Sequence, residues 1–294
     1  AICCPTGGRI GHMPCNPAVG GTAKGHLVRE IDALGGLIGY LTDLSGIQFK
    51  VLNRGRGPAV WSPRAQVDKG LYEANAALVL RAEERIERIE QRVEELLVRS
   101  GECLGVVLDD GRAIRSKCVV VSTGTFLNGV IHVGPDRMGA GRLGEEPSIG
   151  LAESIGRLGF SMGRLKTGTP PRLDRASIDT ESAVAAGVFE LEAGDSVPTG
   201  MSVARPTAVR NQVDCWLVRT TESVHELVRA HIDKSPLYNG QITGVGPRNC
   251  PSFEDKVMRF PDRSRHQIYL EPEGLTCPEV YVNGFSMSLP VEIQ

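Results

Sequence analysis

Apolar and polar positions along the chain change period several times, and each change marks an element. Leu27, Val28, Ile31 and Leu34 share one face at helical spacing, and Gly35-Gly36 ends that helix. A Gly/Pro loop at 53–58 precedes a second expected helix across 66–84. The next stretch supports two readings. Ile86 and Ile89 recur at helical spacing among charges, whereas 92–98 can equally be a strand running into 103–108. Asp109-Asp110-Gly111 is a turn that pairs 103–108 with 113–122 as a hairpin. Val119-Val120-Val121 then leads to Gly124 and Phe126, the pattern of a buried strand ending at a glycine where a ligand backbone could approach. Residues 148–158 form a short amphipathic helix closed by Gly159. The stretch 163–212 is rich in Gly, Pro, Thr and Arg, and a change of domain is placed near its start. Beyond it 213–219 alternates as a strand does. Ser223-Val224-His225-Glu226 has the form of a capping box, with a helix to about Lys234, ahead of Pro236. Near the end, 279–282, the Asn283-Gly284 turn and 285–289 read as a β-hairpin. No internal repeat interrupts this order, and the mixture is α/β with hairpins, not a strict alternation of strand and helix.

Composition narrows the class. The 294 residues, 41% apolar and 23% charged, suit a folded chain of two domains or lobes and exclude disordered and collagen-like classes. No apolar run approaches the roughly 18 residues of a membrane helix, and no secretory signal opens the chain. The chain also starts without Met, which reads as a start partway into a longer gene product. A net charge of −2 makes any nucleic-acid surface local. Two stretches qualify: Arg157, Arg164, Lys166, Arg172 and Arg175, and then Lys256, Arg259, Arg263 and Arg265. The plainer account of both is a solvated charged face.

Eight cysteines in a chain of this length do not make a disulfide scaffold, and no spacing suggests a metal site. A reducing, cytoplasmic setting follows. Cys3, Cys4 and Cys118 read as buried thiols. Cys15 and Cys250 differ, because each sits among Pro, Gly and Asn in a loop. A thiol near Arg248 or a helix N-terminus would have its thiolate favoured and become a nucleophile. The plainer reading of a lone loop cysteine, and of the six histidines, is structural. Residues 139–144 match G-x-G-x-x-G, but Gly134-Pro135-Asp136 breaks the strand before them and Pro147 separates them from the helix. That disqualifies a dinucleotide fingerprint while leaving a ligand-lining loop. Residues 20–25 are not a P-loop, since Lys24 precedes the last glycine; their amides could still approach a phosphate.

Taken together, the strings 15–36 (CNPAVGGTAKGHLVREIDALGG), 52–68 (LNRGRGPAVWSPRAQVD), 163–172 (GRLKTGTPPR), 246–260 and 271–276 (EPEGLT) resemble the GidA/MnmG family of tRNA uridine 5-carboxymethylaminomethyl modification enzymes. The resemblance runs almost the whole chain. It implies an FAD-binding nucleotide fold, incomplete here, with an inserted α+β domain. The divisions it implies are 1–162 for part of the FAD-binding domain, 163–266 for an inserted NAD and substrate domain, and 267–294 for a return to the first. The family's flavin fingerprint would precede Ala1, and its C-terminal domain would follow Gln294. The resemblance also resolves the stretch around Val93 as strand.

What it implies about chemistry is specific. The family uses FAD, NADH and a methylene-tetrahydrofolate carbon, and it works with the GTPase MnmE as a homodimer within a heterotetramer on tRNA. Cys15 and Cys250 match its two functional cysteines, with the attacking one left open. Val93 and Ser148 match flavin contacts. The segment assigned to NAD is Gly246, Pro247, Arg248, Asn249, Cys250, Pro251, Ser252, Phe253, Glu254, Asp255, Lys256, Val257, Met258, Arg259 and Phe260. Asn249 stands where the family has Tyr, Phe253 where it has Ile or Leu, and Thr221 where it has Asn. Two alternatives are a folate- and FAD-dependent tRNA uracil methyltransferase and an inactive fragment that binds tRNA or a partner.

Overall fold

Chain order already shows where local patterning prevails and where a distant partner overrides it. The computed structural model describes residues 1–5, 9–244 and 251–294. Strand β1 (Ile2–Cys4) leads to β2 (Ala18–Gly20), helices α1 (Lys24–Ala33) and α2 (Ile38–Ser45), strands β3 (Gly46–Leu52) and β4 (Ser62–Val67), and helix α3 (Lys69–Ala82). There follow β5 (Arg88–Glu90), β6 (Val93–Arg99), β7 (Glu102–Leu108), β8 (Ala113–Arg115), β9 (Val130–Val133), β10 (Asp136–Gly139) and helix α4 (Ile149–Arg157). The remainder holds β11 (Arg172–Asp174), α5 (Thr180–Ala185), β12 (Glu190–Glu192), β13 (Cys215–Arg219), α6 (Glu222–Ala230), α7 (Phe253–Arg259), β14 (Gln267–Pro272) and β15 (Glu279–Asn283).

Among the described residues β1 pairs β5 in parallel, and the other sheets are antiparallel: β2-β4-β3, β6-β7-β8, β9-β10, and a five-stranded sheet in the order β11-β15-β14-β13-β12. The five-stranded sheet takes strands from both sides of residue 266. The architecture is the mixed α/β one with hairpins.

Several expectations hold for local reasons. Helix α1 ends where Gly35 takes a φ of +85°, a conformation that favours glycine. The ambiguous stretch is strand β6, paired with β7, which forms the expected hairpin with a shortened β8. Helix α4 is followed by Gly159 at a φ of +86°.

Others need correcting. The helix expected from 66 begins at Lys69, because 62–67 is a strand in which Ala65 and Val67 are buried. Asp68 then starts the helix, its side chain accepting from Leu71 N at 3.0 Å. The run 119–126 is not a buried strand. No described strand pairs with it, and Val120 is 86% exposed; its far end is held instead by a loop contact, Phe126 O accepting from Ser148 N at 2.8 Å. Cys118 is likewise exposed, while Cys3 and Cys4 are half-buried and burial raises both thiol pKa values. Ser223 does not cap α6: Thr221 holds the N-cap position, and the helix stops at Ala230 before a short 3-10 turn. The hairpin expected at 279–289 does not form. β15 pairs instead with β14 and β11, and after Gly284 (φ +94°) the chain turns to α7, where Ser286 O accepts from Phe253 N at 2.6 Å. Residues 139–144 form a strand end and a tight turn closed by Arg142 and Glu145, with no strand-to-helix passage.

Candidate functional site

Cys15 is carried by the loop that enters β2, and it is exposed. What lies behind it is set by strand register. Arg172 of β11 and Glu271 of β14 each stand opposite Tyr281 of β15, so these three side chains form one row on one face of the five-stranded sheet. The Tyr281 hydroxyl lies 3.6 Å from Cys15 Sγ. Arg172 Nη2 donates to the carbonyls of Pro14 (2.9 Å) and Cys15 (2.8 Å), its Nε donates to Glu273 Oε1 (3.0 Å), and its guanidinium sits 5.0 Å from the Tyr281 ring centroid. The other oxygen of Glu273 accepts from Lys69 Nζ at 2.8 Å. Burial first, and then the adjacent Cys15, push the Tyr281 hydroxyl far above the ordinary phenol range, so it keeps its proton.

A second sheet closes on this face. In β3 and β4, Gln48, Lys50, Arg64 and Gln66 point one way, while Phe49, Ala65 and Val67 point the other into an apolar cluster with Val19, Leu41 and Met201. The polar side meets the five-stranded sheet. Arg64 donates to Glu271 Oε1 at 2.7 Å, Gln66 donates to the Pro272 carbonyl at 2.9 Å, and Asn283 also reaches Glu271 Oε1 at 3.2 Å. Cys215 Sγ donates to Gln48 Oε1 at 3.6 Å, and burial pushes this thiol up to about 12, which makes it inert as a nucleophile. Asp68 accepts from Leu275 N at 2.8 Å, and Gly274 lies so close that a Cβ there would fall 2.7 Å from Asp68 Oδ2. Strings 52–68, 163–172 and 271–276, far apart in sequence, thus meet beneath Cys15.

Glu273, Cys277 and Glu279 bring three ligating atoms within 4.8 Å of one another. Glu273 is already paired with Lys69 and Arg172, so this cluster offers a cation less charge than its composition suggests.

The two residues expected at flavin lie on packed neighbours. Val93 opens β6, and Ser148 holds the N-cap position of α4, which packs on β6. Ser148 is buried between Phe126 and Asn128, donating to the first (2.8 Å) and accepting from the second (3.0 Å) through its backbone. Its side chain makes no capping bond and the helix's own first turn holds no acid, but the Glu94 side chain of β6 lies against that turn. A Cβ at Gly150 would run into the Glu94 carboxylate and fall 3.1 Å from the Glu94 carbonyl, so glycine is what allows this approach.

Cys250, Gly246, Pro247, Arg248 and Asn249 lie outside the described residues. From Pro251 onward the segment expected at NAD is largely inward. Ser252 Oγ caps α7 by accepting from Asp255 N at 3.3 Å, and Phe253 and Val257 are fully buried. Buried Glu254 accepts from Ser288 N at 2.6 Å and Ser288 Oγ at 3.1 Å. Asp255 faces Arg259 (3.5 Å) and Lys166 (3.8 Å), and Lys256 Nζ donates to Gly284 O at 2.8 Å. Met258, Arg259 and Phe260 form the open side. Of the first basic stretch, Arg157 pairs with Glu95 and Arg164 donates to Asn128 O, yet both stay exposed, as does Arg175, while Lys166 and Arg172 are turned into the fold. Sequence alone does not single out Tyr281 or Lys69, since Tyr281 has only the pattern of a strand residue.

The family model described as glucose inhibited division protein A matches residues 1–294. The chain is 50% identical over 285 residues to the tRNA uridine 5-carboxymethylaminomethyl modification enzyme MnmG of Thermodesulfovibrio yellowstonii, and 48% identical over 287 residues to that of Chlorobaculum tepidum. Each match covers 97% of this chain and 45% of the relative. The structure of Aquifex aeolicus GidA in its form I crystal matches with a TM-score of 0.87 and 46% identity, over 97% of this chain and 47% of that one. The chain therefore spans a little under half the length of the relatives it matches. Matched over its whole length by the family model, and sharing half its residues with those relatives, the chain belongs to the GidA family.

Proposed function

We propose that this chain is the thiol-bearing portion of a flavin-dependent tRNA-modifying enzyme that adds a carboxymethylaminomethyl or aminomethyl group at carbon 5 of the wobble uridine. The observation that carries the proposal is Cys15: an exposed thiol in a loop clamped by Arg172 and backed by Tyr281, in a chain whose relatives bear the name of that activity. Cys250 is the second thiol of the proposal. Attack of a thiolate on uracil C6 forms an S–C6 bond and moves the C5=C6 electron pair onto C5 and O4. Carbon 5 then bonds an electrophilic one-carbon unit. Loss of the C5 proton and departure of the thiolate restore the double bond.

Val93 and Ser148 would hold FAD at the start of α4, and residues 246–260, of which Met258, Arg259 and Phe260 are open, would hold NADH. When bound, flavin supplies hydride or mediates the one-carbon transfer from methylene-tetrahydrofolate. The rest of the reading is a MnmE-type GTPase partner, a homodimer within a heterotetramer, and a cytoplasmic setting. Among the described residues, no helix is long and apolar enough to cross a membrane.

The test is complementation. A strain lacking the gene is supplied with the full-length gene product, and wobble nucleosides are quantified by mass spectrometry. Wild type restores the modified nucleoside, while Cys15→Ser and Cys250→Ser each abolish it. Full modification by both variants would overturn the thiol mechanism, and a full-length protein that purifies without flavin absorbance would overturn the cofactor.

A further inference from the structure

We infer that Tyr281 is the hydrogen-bond donor that sets the reactivity of Cys15, and that Arg172 is the clamp that keeps thiol and hydroxyl together. The inference deepens the reading of Cys15 as a reacting thiol and rests on it. Both residues act through the sulfur, so they are positioning residues.

Three features support it. First, the Tyr281 hydroxyl has no other hydrogen-bond partner among the described residues, and Tyr281 is only 3% exposed, so its proton is directed at Cys15 Sγ 3.6 Å away. Glu271, the acid across the strand pair, accepts from Arg64 and Asn283 through Oε1 and, among the described residues, makes no hydrogen bond to the Tyr281 hydroxyl. Second, the phenol keeps its proton at any physiological pH, so it donates to a thiolate and does not exchange protons with it. The thiol proton leaves to solvent, to which Cys15 is exposed, and no co-reactant is required. Third, one guanidinium spans both partners. Arg172 holds the Pro14 and Cys15 carbonyls and lies over the Tyr281 ring, and Glu273 fixes its orientation from behind.

The experiment is alkylation of the full-length gene product by iodoacetamide, followed cysteine by cysteine through peptide mass spectrometry. Exposed Cys118 serves as the internal control. At neutral pH, Tyr281→Phe slows alkylation of Cys15 about tenfold, as expected for a lost hydrogen bond to a charged acceptor, and leaves Cys118 unchanged. Tyr281→Phe also lowers kcat for uridine modification without raising KM. An unchanged ratio of Cys15 to Cys118 rates overturns the inference. If Tyr281→Phe does not fold, Arg172→Lys decides: it keeps the charge but loses the fork and the stacking, so Cys15 slows if the clamp matters and keeps its rate if it does not. Because alkylation needs no tRNA, its outcome is separate from complementation, where Cys15→Ser tests the functional reading itself.

Discussion

The two faces of the five-stranded sheet are made from alternate residues of the same strands, and they carry opposite chemistry. On one, Ile268, Leu270, Val280 and Val282 are buried against Ile178, Phe189, Trp216 and Phe285. On the other, Glu271, Tyr281 and Cys215 are almost equally buried, yet they meet Arg64, Gln48, Arg172 and the loop of Cys15. Burial of apolar area stabilises the first face at about 25 cal/mol per Å² and depends little on exact position. The second face gains far less net free energy, because desolvating an ion pair offsets most of its attraction. Among the described residues Glu271 Oε2 is even left without a partner. What the polar face provides is placement. Each charge has a fixed neighbour, and that chain of neighbours ends at an exposed thiol.

Substitutions can break or sharpen this contrast. The largest effect is expected from Leu270→Asp, which buries an unpaired charge in the apolar face and should abolish cooperative unfolding in a denaturant titration followed by circular dichroism. Next, Arg64→Met should cost about 3 kcal/mol by leaving Glu271 without its cation. The double change Arg64→Met with Glu271→Leu should cost less than the single one. If the double variant were the less stable of the two, the polar face would be a stability device after all.

A smaller effect concerns pH. The unfolded Cys215 thiol ionises near 9.0, while the folded one holds its proton to about 12. Between those values the unfolded state has released more protons, so stability is fully present below pH 9 and falls above it by about 1.4 kcal/mol per pH unit. Cys215→Ala should flatten that slope, which melting curves across the alkaline range will show. The smallest effect is expected at the exposed rim, where Glu190 pairs with Arg219. Glu190→Gln should leave the melting temperature unchanged. A clear drop there would mean that charge pairs matter on this face wherever they occur.

By itself the sequence determined whatever depends on near neighbours and on the order of its strings. Helices α1 and α4 with their closing glycines, the β7–β8 hairpin, the mixed α/β class and the family were all legible in it. So were Cys15 as a candidate thiol and the strings that surround it. Tertiary structure alone decided what depends on partners far along the chain. Residues 279–283 alternate as a strand whatever they pair with, and only β14 and β11 determine that they do not form a hairpin with 285–289. The 119–126 run has strand-like residues, but a strand needs a ladder and none is offered among the described residues. Tyr281 meets Cys15 across 266 positions, and Arg172 reaches the same loop across 157. No periodicity encodes such meetings, because strand register is a property of the pair, and a reactive thiol takes its surroundings from register.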